Sequence, residues 1–347
     1  MTQVVSQVMS QVMRGTAGNP DSARRPLVVR IRNWVGDVVL GLPALRLIES
    51  HGYDLHIVAR GKWAPTLLAG YAWPVWVQPS GLRQKVQQLR DLRQHCLHLD
   101  AGFAQRENAL LLPVSLSSAL EMRLARLRAV GVAKEGRSML LARAEPWARS
   151  GHELERYWDI ACRFLRLQQA PPREIDFQVA PAKAEQALRL LVAHGITGDF
   201  VMICPFAAGR AATADKADKK WPGFAEFTRL GTERLGLPLV VYPGPGEHDA
   251  AREQYPAARM IDGADLALYA ALLQRAALVV ANDTGPAHMA AALGRPVISV
   301  LAATEAARWA PWGTRVTVLQ KPQAATANVW PSAEVGLALA QQILRRS

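Results

Sequence analysis

The chain has 347 residues, half of them apolar and a fifth charged, which is typical of a globular protein with room for two domains. No apolar run approaches the ~20 residues that a membrane-spanning helix requires, and the three cysteines are too scattered to indicate a disulfide framework or a zinc site. A reducing compartment, the cytoplasm, is therefore the expected location.

Positive charge is concentrated in the first half of the chain. Residues 1–175 hold 24 Lys and Arg against 14 Asp and Glu, whereas residues 176–347 hold 17 against 15. This asymmetry predicts an anionic partner, such as lipid phosphates, a phosphorylated glycan or nucleic acid, although charge that only aids solubility gives the same composition. A nucleic-acid-binding protein would interleave aromatic and basic residues. Here the basic residues lie mostly on helical segments without aromatics, so we expect no nucleic-acid partner.

The first half of the chain alternates apolar strands with amphipathic helices, which predicts a parallel α/β sheet. Residues 1–25 precede this pattern and are predicted to form a frayed tail, with no secretory signal. The predicted strands are 27–32, 55–59, 75–77, 96–99 and 139–142, and the predicted helices include 37–50, 82–94 and 152–167. A Gln-Gln-Ala-Pro-Pro break at 168–172 ends the first domain, which we assign to residues 26–172.

The second half repeats the alternation and is assigned to a domain of residues 173–331. Its predicted strands are 200–204, 239–242, 260–261, 278–281, 297–301 and 316–319, and its predicted helices are 182–194, 224–235, 249–255, 266–275 and 286–293. A closing helix over 332–347 begins at Ser332 as its cap. The predicted fold is α/β, with two doubly wound, Rossmann-like parallel sheets that face each other across a ligand cleft at their carboxyl ends.

The most informative motif is Asn-Asp-Thr-Gly-Pro-Ala-His at 282–288, directly after a predicted strand. Gly285 permits a tight turn, and Pro286 suits the first position of a helix. The free N–H groups and positive dipole end of such a helix bind anions, and a diphosphate is the expected ligand. Asp283, Thr284 and His288 share this rim. Taken alone, the motif favours a helix cap at Asp283 or Thr284 with His288 on the surface.

A second motif, Asn-Trp-Val-Gly-Asp at 33–37, follows the first predicted strand. Asp37 is predicted to open the first helix. A carboxylate at this rim stands where a general base is needed. An ordinary N-cap that benefits from the helix dipole fits the motif equally well.

Together, Gly36-Asp37 with the Leu-Pro-Ala-Leu at 42–45, the Lys-Lys-Trp-Pro at 219–222 and the motif at 282–288 resemble glycosyltransferase family 9. These are the ADP-heptose:lipopolysaccharide heptosyltransferases and their relatives, and the likeness runs from about residue 27 to the C-terminal helix. It implies a GT-B architecture with an N-terminal acceptor-binding domain and a C-terminal nucleotide-sugar-binding domain. It also implies metal-independent, inverting transfer of a heptose from ADP-heptose to an inner-core sugar, with no cofactor.

The resemblance also implies roles for individual residues. Asp37 matches the catalytic base. On the donor side, Lys219 matches the lysine that meets the phosphates, the backbone of Thr284 and Gly285 would hold the diphosphate, and Asp283 would hold sugar hydroxyls with His288 beside it. Glu247 matches a glutamate for the ribose hydroxyls, although it fits equally as a cap of the following helix.

The implied acceptor is an anionic lipopolysaccharide precursor, which would place the enzyme peripherally at the cytoplasmic face of the inner membrane. Arg60 and Lys62, after the second predicted strand, are the candidates to meet the anionic groups. Trp34 would stack on an acceptor sugar, or else would be a half-buried packing residue.

Three departures from the family pattern bear on the donor sugar. Phe206 stands where relatives often carry glycine, 13 residues separate Pro205 from Lys219, and the strand at 297–301 lacks the usual Phe-Gly-Pro after it. The alternatives are therefore a GT-B transferase that uses another nucleotide sugar or a protein acceptor, and a nucleotide-sugar epimerase.

Overall fold

The computed structural model describes residues 24–147, 151–207, 220–263, 265–302, 304–320 and 330–346. The predicted N-terminal tail up to residue 23 and the predicted phosphate-binding residue Lys219 lie outside these ranges. No helix in the described ranges is long and apolar enough to cross a bilayer.

The first sheet has six parallel strands in the order β3-β2-β1-β4-β5-β6. Because the order reverses between β1 and β4, the chain leaves these two strands toward opposite faces and opens a crevice at their carboxyl ends. The strands are β1 (Arg25–Arg30), β2 (Tyr53–Ala59), β3 (Val75–Val77), β4 (Ala109–Leu111), β5 (Ala129–Val132) and β6 (Arg143–Glu145). The helices are α1 (Val35–Ser50), α2 (Ala64–Leu67), α3 (Leu82–Leu99), α4 (Leu116–Leu124) and α5 (Glu153–Leu165), with 3-10 turns at Ala101–Ala104 and Arg137–Leu140.

The second sheet repeats this topology in the order β12-β11-β10-β7-β8-β9, again all parallel, with its reversal between β7 and β10. The strands are β7 (Val201–Cys204), β8 (Leu239–Val241), β9 (Arg259–Met260), β10 (Leu278–Asn282), β11 (Val297–Leu301) and β12 (Val316–Gln320). The helices are α6 (Pro181–Ala193), α7 (Phe224–Arg234), α8 (His248–Gln254), α9 (Leu266–Arg275), α10 (Gly285–Ala292), α11 (Ala306–Trp309) and α12 (Ala333–Leu344).

One hydrophobic cluster extends across both halves of the molecule. The buried faces of α1 and α5, including Leu45 and Tyr157, belong to the same cluster as Leu272 of α9 and Met289 of α10. Near this cluster, the Phe177 N–H donates to the carbonyl oxygen of Ala292 at 3.0 Å. Helix α1 therefore packs directly on α10, and the carboxyl edges of the two sheets lie close to each other.

Two of the predicted strands in the first half are wrong. Residues 96–99 complete α3, because the helical spacing of buried Val86, Leu89, Leu92 and Cys96 continues to its end. Residues 139–142 overlap a 3-10 turn, and Met139 is 89% exposed, whereas strands β4, β5 and β6 lie at positions that the prediction left out. The predicted domain boundaries remain a prediction.

Candidate functional site

The Asp37 carboxylate lies in the first turn of α1, just beyond the carboxyl end of β1. Helix α1 begins at Val35, with Trp34 in the cap position and no side-chain cap, so the predicted start at Asp37 is wrong by two residues. The carboxylate does not cap the helix. Its Oδ1 instead accepts a hydrogen bond from the Tyr157 hydroxyl at 2.7 Å and lies 3.5 Å from Arg32 Nε. The N-cap interpretation of Asp37 is therefore wrong.

Tyr157 and Arg32, the two partners of Asp37, both have raised pKa values. Burial, followed by the neighbouring carboxylate, raises the pKa of Tyr157 well above its usual value, so its hydroxyl stays protonated and can donate. Burial opposes the charge of Arg32, but Tyr157, Asp37 and Glu153 outweigh it and raise the pKa of this guanidinium. Asp37 itself is only 8% exposed. Arg32 and Tyr157 thus both hold the carboxylate through its Oδ1.

The starts of α1 and α10 touch each other through two glycines. A Cβ added at Gly36 would lie 2.7 Å from His288 Cδ2, and one at Gly285 would lie 2.9 Å from both Cβ and Cγ1 of Val35. These separations are shorter than real Cβ contacts, so only glycine permits this approach at both positions. The predicted base and the predicted diphosphate site are therefore brought together at one junction between the two sheets.

Four of the six predicted donor residues, Asp283, Thr284, Gly285 and His288, lie at or within one turn of the start of α10. Thr284 is the residue before the helix, but its hydroxyl donates to the Asn282 carbonyl at 3.2 Å and does not cap the helix. Asp283 accepts from the Thr304 hydroxyl at 2.6 Å. His288 is buried against Gly36, so its interpretation as a solvated surface residue is wrong. The first N–H groups of α10 remain at the rim, and the helix begins at Gly285, so Pro286 is its second residue and not the predicted first.

Asn282 connects three segments of the second sheet. The side chain is fully buried; its Oδ1 accepts from the Trp221 N–H at 2.9 Å, and its Nδ2 donates to the Pro205 carbonyl at 2.6 Å. Pro205 follows β7, and Trp221 belongs to the Lys-Lys-Trp-Pro motif at 219–222. Asn282 therefore anchors both ends of the segment that contains Lys219.

The remaining predicted residues follow strands of both sheets at their carboxyl ends. Glu247 precedes α8, and its carboxylate accepts from the Gly244 N–H at 2.8 Å within the loop, without capping the helix. On the other sheet, Arg60 and Lys62 are exposed after β2. Trp34 is 66% exposed, so its interpretation as a half-buried packing residue is wrong.

A small pocket of about 20 Å³, room for about one water molecule, lies beside Tyr157 on the side of the first sheet. Tyr157, Glu153, Arg156 and Trp147 contribute to its lining. Two cations lie against the Trp147 ring, with Lys134 Nζ 4.6 Å and Arg156 Cζ 4.9 Å from its centroid. Arg156 is also paired with Glu153 at 2.8 Å, so the charges at this pocket are mixed.

Sequence reasoning missed four residues of this site. Arg32 stood at the end of a predicted strand, and no local pattern connected it with Asp37. Tyr157 stood on a predicted helix 120 residues away from Asp37. Asn282 was recognised within a motif without a role, and Trp147 lay in a segment with no predicted element. A buried Tyr on the apolar face of a helix was the only sequence feature that could have drawn attention to Tyr157.

Solved structures confirm the predicted GT-B fold. Heptosyltransferase II of Escherichia coli superposes with a TM-score of 0.75 over 92% of this chain and 99% of that chain, at 20% identity. The E. coli heptosyltransferase WaaC with ADP-2-deoxy-2-fluoro heptose gives a TM-score of 0.66 over 93% and 100%, at 22% identity.

Sequence comparison assigns the family. Lipopolysaccharide heptosyltransferase 3 of E. coli K12 is 23% identical over 282 residues, which cover 78% of this chain but only 65% of that relative. The family model described as glycosyltransferase family 9 (heptosyltransferase) matches residues 103–333, more than half of the sequence and including the 219–222 and 282–288 motifs. The chain belongs to glycosyltransferase family 9.

Proposed function

We propose that this protein is an inverting glycosyltransferase that moves a heptose from ADP-heptose to an inner-core sugar of lipopolysaccharide, with Asp37 as general base. The observation that carries this proposal is the contact between the starts of α1 and α10. Because Gly36 meets His288 and Gly285 meets Val35, a carboxylate and a helix N-terminus face the same junction. Inverting transfer needs both, one to take the proton of the acceptor hydroxyl and the other to stabilise the leaving diphosphate.

On the donor side, family membership and the rim of α10 support a nucleoside diphosphate sugar. Its diphosphate would bind the N–H groups of Thr284 and Gly285, with Lys219 contributing charge. Asp283 and His288 would face the sugar, and Glu247 would accept from the ribose hydroxyls. A solved relative contains ADP-2-deoxy-2-fluoro heptose, which makes ADP-heptose the first donor to test.

On the acceptor side, the reacting hydroxyl would donate its proton to Oδ2 of Asp37 as its oxygen attacks the anomeric carbon and the bond to the diphosphate breaks. The Tyr157 hydroxyl and Arg32 would hold the carboxylate in place through Oδ1. Trp34, Arg60 and Lys62 would bind the acceptor, whose anionic groups suit the positive first half of the chain. A lipid-anchored acceptor would place the enzyme at the cytoplasmic face of the inner membrane.

Product analysis tests this function directly. The protein is incubated with ADP-heptose alone, with ADP-heptose and a delipidated inner-core acceptor, and with UDP-sugars. Release of ADP only when the acceptor is present is the expected result. Transfer from another nucleotide sugar, or to a protein, would assign a different substrate to the same fold, and turnover of a UDP-sugar without acceptor would indicate an epimerase.

The contact between α1 and α10 gives a further prediction. Gly285→Ala keeps the backbone N–H but pushes a methyl group against Val35, so the two helix starts must separate. We expect kcat/KM to fall about tenfold, because small displacements of reacting groups are costly. The matched control is Gly198→Ala, since a Cβ there meets nothing within 4 Å. Equal kcat/KM values for the two variants would contradict a role for this close approach.

A further inference from the structure

The outer face of helix α4 exposes a stripe of leucines. Leu116, Leu120 and Leu124 follow each other at intervals of four residues and are 36–46% exposed. The opposite face of the helix is buried through Ala119 and Met122, so the leucine stripe points away from the core. A single exposed leucine is ordinary, but three in line on one short helix form a continuous apolar surface.

A neighbouring turn carries another exposed apolar side chain. The 3-10 turn Arg137–Leu140 packs on α4, and its Met139 is 89% exposed. Arg137 holds the turn in place: the side chain is fully buried and donates to the Pro113 carbonyl at 2.6 Å and the Val132 carbonyl at 2.8 Å. The exposed methionine is therefore displayed by a well-anchored turn.

Arginines surround the C-terminal half of the stripe. Arg123 is exposed on α4 itself, about 20° from Leu116 around the helix axis on the side away from Leu120, and Arg126 is exposed just past the helix end. From the adjacent helix α3, Arg90 donates to the Leu124 carbonyl and Arg93 to the Arg126 carbonyl, both at 3.2 Å. Cations thus border the apolar stripe, in contrast to the polar but uncharged Ser115 and Ser117 at its other end.

We propose that this leucine–arginine face, formed by Leu116, Leu120, Leu124 and Met139 with Arg90, Arg93, Arg123 and Arg126, docks onto an anionic lipid bilayer. Apolar side chains flanked by arginines match the boundary between acyl chains and anionic headgroups, where the leucines enter the apolar layer and the arginines meet phosphates. The role given to this docking, delivery of the acceptor, rests on the proposed function. Helix α4 starts just beyond the carboxyl end of β4, so docking through it would bring a lipid-anchored acceptor to the edge of the cleft.

Vesicle flotation tests the proposal without any substrate. The wild-type protein is mixed with vesicles of phosphatidylethanolamine and phosphatidylglycerol (3:1) or of phosphatidylcholine alone. We expect binding to the anionic vesicles that weakens as salt is raised, and at least tenfold weaker binding to phosphatidylcholine. Equal binding to both vesicle types, or no binding to either, would overturn the proposal.

Two sets of variants locate the surface. Leu116→Ser, Leu120→Ser and Leu124→Ser combined should weaken binding at least tenfold, and Arg123→Gln with Arg126→Gln should weaken it about 25-fold, at roughly fivefold per charge. The matched control is Leu188→Ser with Val192→Ser on α6, where two aliphatic side chains at the same spacing are 44% and 53% exposed. The control should bind within twofold of wild type. If the triple leucine variant fails to fold by circular dichroism, Leu120→Ser alone is used and should still weaken binding severalfold.

Two further measurements separate the possible causes of failure. Light scattering shows whether the wild type is a dimer that the leucine substitutions dissociate, in which case the face is an interface between copies and the membrane proposal is wrong. The ADP-release assay with a delipidated acceptor contains no vesicles, so the proposed transferase activity can fail while membrane binding persists, or the reverse. Retained vesicle binding by the leucine variant would overturn the assignment of this face whatever the activity.

Discussion

Asp37→Asn is expected to lower kcat at least 100-fold while leaving donor affinity within about twofold. General base catalysis typically contributes 10²–10⁴-fold to a rate, and an amide cannot take the acceptor proton. The substitution preserves the size of the side chain and an oxygen that can accept from the Tyr157 hydroxyl, so the surrounding contacts of Oδ1 are largely kept. The measurements are steady-state ADP release and calorimetric titration with the donor.

The control for this variant is Asp54→Asn. Asp54 lies near the amino end of β2, whereas Asp37 lies beyond the carboxyl end of the neighbouring strand β1. The two carboxylates are therefore at opposite ends of parallel strands, and loss of the Asp54 charge should leave kcat near wild type. More than about a tenth of the wild-type rate in Asp37→Asn would remove Asp37 from the role of base. A large loss in both variants would indicate a general effect of charge on the domain.

Asn282→Ala is expected to lower both the free energy of unfolding and kcat/KM for the donor. Removal of the amide leaves the Trp221 N–H and the Pro205 carbonyl buried without their partner, at about 1–3 kcal/mol for each group. Because these two groups bracket the segment that contains Lys219, the predicted phosphate-binding lysine loses its anchors. We expect kcat/KM for the donor to fall about 100-fold, as a displacement of about 1 Å can cause.

A second buried asparagine provides a close control for that variant. Asn108 is also fully buried, donates to the Phe103 carbonyl at 2.9 Å and accepts from the Arg128 N–H at 2.8 Å, but it lies on the first domain. Asn108→Ala should therefore lower the free energy of unfolding by a similar amount, as measured in urea, with little change in donor KM. An equal rise in donor KM in both variants, assayed where both are folded, would contradict the anchoring role of Asn282.

Local patterns predicted most of the second half of the chain closely. Strand 297–301 and helix 266–275 have the predicted bounds, and helix α10 begins at Gly285, one residue before the predicted start. The strand follows Pro296 and helix 266–275 follows its capping residue Asp265, so residues near in sequence were sufficient. The GT-B arrangement then followed from the alternation of strands and helices and from the family resemblance, and the solved relatives confirm it.

The first half was predicted less well, because its short strands depend on their neighbours. Ala109–Leu111 is three residues long and is a strand because β1 and β5 pair with it on either side. The run at 96–99 is equally apolar but continues the buried face of α3. No local pattern distinguishes two short apolar runs of this kind, since hydrogen bonds to distant strands decide between them.

The amino-acid sequence is sufficient to locate the carboxylate, the glycines and the helix start along the chain, and to show that these motifs resemble the family. Tertiary packing is needed for the contacts of the Tyr157 hydroxyl and Arg32 with Asp37, for the contact of Asn282 with Trp221, and for the approach of α1 to α10 through Gly36 and Gly285. Turn and cap preferences act over a few residues, whereas Tyr157 is 120 residues from Asp37 and His288 is about 250 residues from Gly36, so these pairs meet only when both sheets have packed.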